Sequence, residues 1–454
     1  MKKLKELLLN QIMKTMIYTK KILYIVLILG VQYTFGQNLL TKKEALEIAL
    51  ENNYGVKIAN NNLEIAKNNS SVYNSGYLPT ISANAGANYN NSNQEIEQQS
   101  GDVISVDGAE TKSYNASLNL NYTLFDGLGR KYNYQQLKET YNLTEFQARE
   151  TIENMHLQLF NVYFQIARLS ENTRNLKETL EVSKQRLQRA KYQYEYGQST
   201  KLELLNAEVD VNNDSINYIS TKQIYLNAKR DLNIVLGTNT NTDYNVETDV
   251  DFIALISFEE LLAKAHENNV ILIQNEKNIA ISEFNIKINK SSFLPKVNLT
   301  SSYGWNKSIN PATSFLASSN LTGFNGGLNL SWNLFDGGSS KTRLANAKIA
   351  LENQKILQEQ QIETLDNTLR NTYETYNNSL FIFESQTQNV ATNQNNFERT
   401  QERYKLGQVS SIEFRQAQIN LLNSQTAMNN AKYEAKLVEL ELLQLAGELL
   451  NINF

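Results

Sequence analysis

The chain has 454 residues, 20 % of them charged and 41 % hydrophobic, with a mean hydropathy of −0.45 and a formal net charge of −4. That is too polar for a bundle of membrane-spanning helices, each of which needs roughly 20 apolar residues in a row. Cysteine is absent, which removes disulfides, thiolate metal sites and thiol nucleophiles, and the acidic balance opposes binding to nucleic acid through phosphate neutralisation.

The first feature along the chain is the apolar run ILYIVLILGV at 22–31, preceded by Lys20 and Lys21. It is too short to span a bilayer but suits the core of a signal peptide, and Thr34 and Gly36 place small residues before a cut at Gln37. A short membrane anchor is the rival reading, and the long basic stretch ahead of the run makes Met13 or Met16 alternative starts. Removing 1–36 takes away Lys2, Lys3, Lys5, Lys14, Lys20, Lys21 and Glu6, which lowers the net charge from −4 to −9. An exported chain without disulfides draws its stability from packing and assembly.

From there the sequence is written twice, as 37–250 and 251–454. ALEIALENN at 45–53 aligns with LLAKAHENN at 261–269, and Leu78-Pro79 with Leu294-Pro295, at an offset of 216. LNLNYTLFDG at 118–127 returns as LNLSWNLFDG at 328–337, and Tyr194 through Gly197 match Tyr404 through Gly407, now at an offset of 210. The six-residue change falls between the two strands of each copy, where a loop absorbs it. A repeat this long is the duplication of a whole half, not a solenoid unit.

In each half the pattern predicts a short helix (41–53; 257–268), a second helix (54–77; 270–293) and two strands (80–90 and 114–125; 297–305 and 324–335). A very long helix (128–195; 338–405) and a final one (201–236; 411–446) complete it. Pro79 and Pro295 mark the helix-to-strand breaks. Leu176, Leu180, Ser183, Leu187, Ala190 and Tyr194 follow coiled-coil spacing. Leu202, Leu205, Val209, Asn212, Ile216 and Ile219 do the same across the turn, so the two helices are expected to pack antiparallel through these rows.

The strands alternate. Tyr114, Ala116, Leu118, Leu120, Tyr122 and Leu124 share one face, opposite Asn115, Ser117, Asn119, Asn121 and Thr123. Such alternation fits any half-buried sheet, including hairpins packed on helices. Strand lengths near those of tilted membrane strands, a polar face almost without charge, and aromatics at the strand ends (Tyr89, Trp305, Phe125, Trp332, Phe335) favour a membrane barrel. Four strands cannot close one, so chains must pool their strands; two copies or three would serve. The segment 91–113, rich in Glu and Asp, is expected to be a solvated outer loop.

These features together resemble the TolC-like outer-membrane efflux proteins over about residues 38–450. The resemblance rests on the two tandem halves, Leu-Pro before each hairpin, Leu-Phe-Asp-Gly after it, and the Tyr-x-x-Gly turn followed by Ser/Thr-x-x-Glu. It implies a mostly α fold with a small β part. Each of three identical chains would give four strands to a shared 12-stranded outer-membrane barrel and four long helices to a coiled-coil α-barrel crossing the periplasm. The implied role is a passive channel in a tripartite efflux or type I secretion system. Its partners would be outer membrane lipid, a periplasmic adaptor and an inner-membrane RND, ABC or MFS pump. The alternative is an exported coiled-coil scaffold or adaptor that never enters lipid.

No cofactor, metal or catalytic site is expected, since His156 and His266 are the only histidines and no nucleophile–base spacing occurs. Thr200 with Glu203 and Ser410 with Glu413 read as capping boxes. The resemblance makes Tyr194, Gly197, Thr200, Glu203, Tyr404, Gly407, Ser410 and Glu413 the periplasmic tip, as adaptor contacts or gate. Gln416 and Val409 stand where a charge-locked gate would place charges. Asp126 and Asp336 read as caps where strand passes into helix.

Overall fold

Asn53 ends one helix and starts the next. In a computed structural model that describes residues 39–253 and 257–452, its Oδ1 accepts from the amides of Gly55 (2.8 Å) and Val56 (3.2 Å), while Nδ2 donates to the Val235 carbonyl (2.8 Å). It thereby separates α1 (Lys42–Asn52), which opens on a Thr41–Glu44 capping box, from α2 (Tyr54–Asn69). Asn269 repeats the joint between α5 (Phe258–Asn268) and α6 (Val270–Ser291), accepting from Ile271 and Leu272 and donating to Leu445 O (3.0 Å). Against these joints lie Gly237 (φ 67°) and Gly447 (φ 71°), where an added Cβ would come 2.4 Å from the carbonyl oxygen of Asn52 or Asn268. The repeated Glu-Asn-Asn and the repeated glycine are two halves of one contact. The expected signal peptide at 1–36 lies outside the described residues.

The long helices are α3 (Gly129–Glu195), α4 (Lys201–Leu236), α7 (Ser339–Lys405) and α8 (Ser411–Leu445). At 67 residues, α3 and α7 each extend about 100 Å. Near the sheet the packing order is α2–α3–α6–α7, and toward the far turns it is α4–α3–α8–α7. The short helices thus stack end to end beside the long ones. The densest core lies midway along α3, where Phe160, Tyr163 and Phe164 are fully buried and Phe164 meets Tyr433 of α8. A two-residue parallel bridge, β1 (Leu39–Leu40) with β4 (Asn245–Val246), ties the first half to the connection between halves.

Three elements differ from the expected ones. The helix expected over 54–77 stops at Asn69, because Ser70 turns its hydroxyl onto the Lys67 carbonyl (2.8 Å) and a single 3₁₀ turn, Val72–Asn74, follows. The loop expected over 91–113 is mostly strand: β2 (Thr80–Glu97) and β3 (Val103–Phe125) stay paired to Glu97↔Val103, leaving only 98–102 as the turn. Charged residues occupy these positions without interrupting the backbone ladder, since Gly108 (φ 67°) absorbs one extra residue in a bulge. The second hairpin, β5 (Lys296–Ile309) and β6 (Ser318–Ser331), ends earlier than the 324–335 reading, and Trp332 leaves the ladder to donate to the Phe293 carbonyl (3.0 Å).

The row Leu202, Leu205, Val209, Ile216 and Ile219 does not face α3; all five are exposed. Helix α4 turns Ala207 and Asp214 inward instead. It therefore carries a second apolar stripe, which no packing partner within the described residues covers.

His156, on α3, is 4 % exposed, lies edge-on to Phe160, and has no hydrogen-bond partner at either ring nitrogen. Burial pushes its pKa down to about 4 from 6.5. The unfolded chain therefore takes up a proton first. Stability should be full above pH 6.5 and fall by up to about 3 kcal/mol as the pH drops toward 4. Unfolding midpoints of the wild type and His156→Leu at pH 7.5 and pH 5 test this: the wild type should lose more, and equal losses would refute it.

Candidate functional site

The four-stranded antiparallel sheet runs in the order β2–β3–β5–β6. Its register carries each face across all four strands: Ser82–Asn119–Ser302–Asn325 is one row, and Ala83–Leu118–Tyr303–Phe324 is the adjacent one on the other face. No described helix packs on either face. Ile81, Leu118, Tyr303, Phe324, Leu328 and Leu330 consequently stand exposed on one side, a contiguous apolar patch of the kind that marks a membrane or partner surface. Both edges, β2 and β6, have unpaired backbone. Hairpins packed on helices, the basis of the scaffold alternative, are absent among the described residues.

The sheet passes into the helices through two left-handed residues in each half: Gly127 and Leu128 (φ 70° and 69°), then Gly337 and Gly338 (φ 68° and 88°). Asp126 Oδ2 accepts from the Arg130 amide (2.9 Å) and pairs with its guanidinium (3.2 Å). Asp336 Oδ2 accepts from the Ser340 hydroxyl (2.6 Å) and amide (2.9 Å), which hold its carboxyl below the usual range. Pro79 and Pro295 stand at the feet of β2 and β5.

At the far end two turns reverse the chain. Gly197 and Gly407 adopt φ 72° and 73° with open space around them. Ser410 and Glu413 form a complete capping box, and the Ser410 amide, then its hydroxyl, holds the Glu413 carboxyl low. Thr200 accepts from the Glu203 amide (3.4 Å), but Glu203 takes the Ser199 hydroxyl instead of closing the box. Tyr404 stacks on Phe414 at 4.7 Å beneath the Arg189 guanidinium, whereas Tyr194 is exposed. Thr200, Glu203 and Ser410 line one cleft of about 390 Å³; Tyr194, Gly197, Tyr404, Gly407 and Glu413 do not.

The floor of that cleft holds an ion-pair cluster that the sequence reading missed. Arg415 of α8 grips Asp214 of α4 with two bonds (2.7 and 2.8 Å), and Arg186 of α3 pairs with Asp210. Ser183 donates to Asp214 (2.6 Å), and Gln418 donates to the Thr179 carbonyl (2.8 Å). The signal was a charged or amide residue at an inward heptad position: Asp214 on α4 and Gln418 on α8. Among the described residues no group of side chains could hold a metal ion.

A single uncovered sheet set on end-to-end coiled coils, folded from two matching halves, defines an outer-membrane channel subunit. The chain belongs to the outer membrane efflux protein family, whose profile matches residues 45–238 and 261–448, once per half. It is 21 % identical over 310 residues to the outer membrane protein TolC of Vibrio cholerae, covering 67 % of this chain and 70 % of that one. Its fold matches the CmeC outer membrane channel of Campylobacter jejuni (TM-score 0.75, 18 % identity, 90 % and 86 % of the two chains). It also matches VceC of Vibrio cholerae (TM-score 0.70, 14 % identity, 89 % and 96 %). The protein is an outer membrane protein with a large periplasmic portion.

Proposed function

We propose that three copies of this chain close into one passive conduit, with the sheets forming a shared 12-stranded barrel and the helices a tunnel to the α3–α4 and α7–α8 turns. The observation that carries this is the pair of open edges. On one side β2, α2 and α4 lie at the edge, and on the other β6 and α7, so one head-to-tail contact repeated in a ring pairs every free strand and covers the Leu202–Ile219 stripe. The apolar face meets lipid and the Asn/Ser/Thr face lines water. The turns bearing Tyr194, Gly197, Thr200, Glu203, Tyr404, Gly407, Ser410 and Glu413 form the tip that a periplasmic adaptor grips. The cluster around Arg415 holds α4 and α8 against α3 and keeps the tip narrow. An inner-membrane RND, ABC or MFS pump supplies the energy, in efflux or type I secretion.

The test is single-channel recording of the purified full chain in a planar bilayer, with the oligomer sized by mass. Discrete conductance steps from a trimer are expected. A soluble monomer, or a trimer with no conductance in any variant, would overturn the reading.

A further inference from the structure

The apolar face of the sheet is not uniform. Across β2, β3 and β5 it sinks into a trough of about 400 Å³, floored by Ala83, Ala85 and Ala116 and walled by the rings of Tyr303 and Trp305. The small side chains fall opposite the large ones in register, with Ala85↔Ala116↔Trp305 as one row and Ala83↔Leu118↔Tyr303 the next. One row further from the helices, Lys307 pairs with Tyr114 on this same face. Lys307 is exposed and forms no ion pair with any described carboxylate, whereas Lys112 nearby is held by Glu110 at 3.0 Å. The 11 residue steps from Phe125 to Tyr114 rise roughly 28 Å at a tilt of about 40°, against an apolar band of about 25 Å in membrane barrels. The Lys307 ammonium therefore stands at the headgroup level, on the side away from the helices, directly above an apolar trough.

We infer that this face carries a site for one anionic, phosphate-bearing lipid of the outer leaflet, its phosphate on Lys307 and an acyl chain lying over Ala83, Ala85 and Ala116 against Tyr303 and Trp305. This rests on the reading that the apolar face meets lipid. A lone cation at an interface attracts any anionic headgroup; the trough beneath adds a fixed place for the chain. Lipid, not free phosphate, is the occupant, because the trough contributes only to a ligand with an acyl chain.

The chain has two tryptophans, Trp305 and Trp332, so Trp332→Phe leaves a single reporter inside the site. The full chain bearing this change is reconstituted in phosphatidylcholine vesicles that contain rising fractions of dibrominated phosphatidylglycerol or dibrominated phosphatidylcholine. Quenching of Trp305 should reach half its maximum at a roughly fivefold lower fraction of the anionic lipid, the factor expected of one interfacial lysine. Adding Lys307→Gln should equalise the two lipids, and inorganic phosphate should change nothing. Equal quenching by both lipids before that substitution would overturn the site while leaving the lipid-facing assignment intact. Displacement by inorganic phosphate would overturn the lipid assignment. Absence of quenching by either lipid would overturn the face assignment, and the site with it.

Discussion

Arg415→Ala is expected to loosen the tip and to cost about 3–5 kcal/mol of stability, the range for removing one member of a buried ion pair. The side chain is 14 % exposed and faces Asp214 at 4 % and Asp210 at 25 %, so its loss leaves two carboxylates beside each other with only Arg186 to answer them. Arg415 bonds α8 directly to α4, while further ties at this level run through Arg186 and Ser183 of α3. In planar bilayers the variant should therefore show a larger resting conductance than the wild type. Two further changes separate gating from damage. Arg415→Met with Asp214→Leu replaces the pair by apolar groups and should recover most of the stability, because neither partner is left charged and unpaired. Conductance should stay high in that double variant, since an apolar contact lacks the two directed bonds of the guanidinium. A loss below about 1 kcal/mol for Arg415→Ala would place the pair among ordinary surface ion pairs and remove it as a latch.

Glu439→Ala should be as costly, for a different reason. Glu439 is fully buried on α8 and accepts from Lys436 Nζ (2.6 Å), the Tyr376 hydroxyl (3.0 Å) and the Ile253 amide (3.3 Å). Lys436 is itself 4 % exposed and donates onward to the Asp251 carbonyl (2.7 Å). One turn earlier, Lys432 and Tyr433 both donate to the Thr248 carbonyl. One face of α8 thus takes up the Thr248 and Asp251 carbonyls and the Ile253 amide of the connection between the two halves. Removing the carboxylate strands a buried ammonium, and a loss of about 3–5 kcal/mol follows. Tyr376→Phe removes one bond and should cost only about 1–2 kcal/mol. Thermal unfolding gives the two values, and limited proteolysis should cut Glu439→Ala near residue 250 before the wild type. Equal protease resistance in the two would show that the connection is held elsewhere.

Much of the architecture was legible because it depends on periods and caps. Alternation at a period of two marked Leu118, Leu120 and Tyr122 as one face of a strand whatever lay opposite. The Gly turns, the Ser/Thr-x-x-Glu starts and the doubled Leu-Phe-Asp-Gly placed the helix ends to within a few residues. The acidic stretch 91–113 misled, since its carboxylates suggested solvent and solvent suggested a loop. A ladder bonds through the backbone, so exposed charged side chains are compatible with it. Asp214 and Arg415 were invisible as a pair because they lie 201 positions apart on different helices.

What the sequence by itself determined was local: where each long helix starts, which residues share a face, and that the chain is two copies of one plan. Which of two apolar stripes on α4 turns toward α3 was decided only by tertiary packing. Both have coiled-coil spacing, and the choice depends on what stands on each side. Helix α3 takes the stripe with Ala207 and Asp214 because small residues let the helices approach and Asp214 meets Arg415 there. The bulkier Leu202–Ile219 row is left exposed at the open edge.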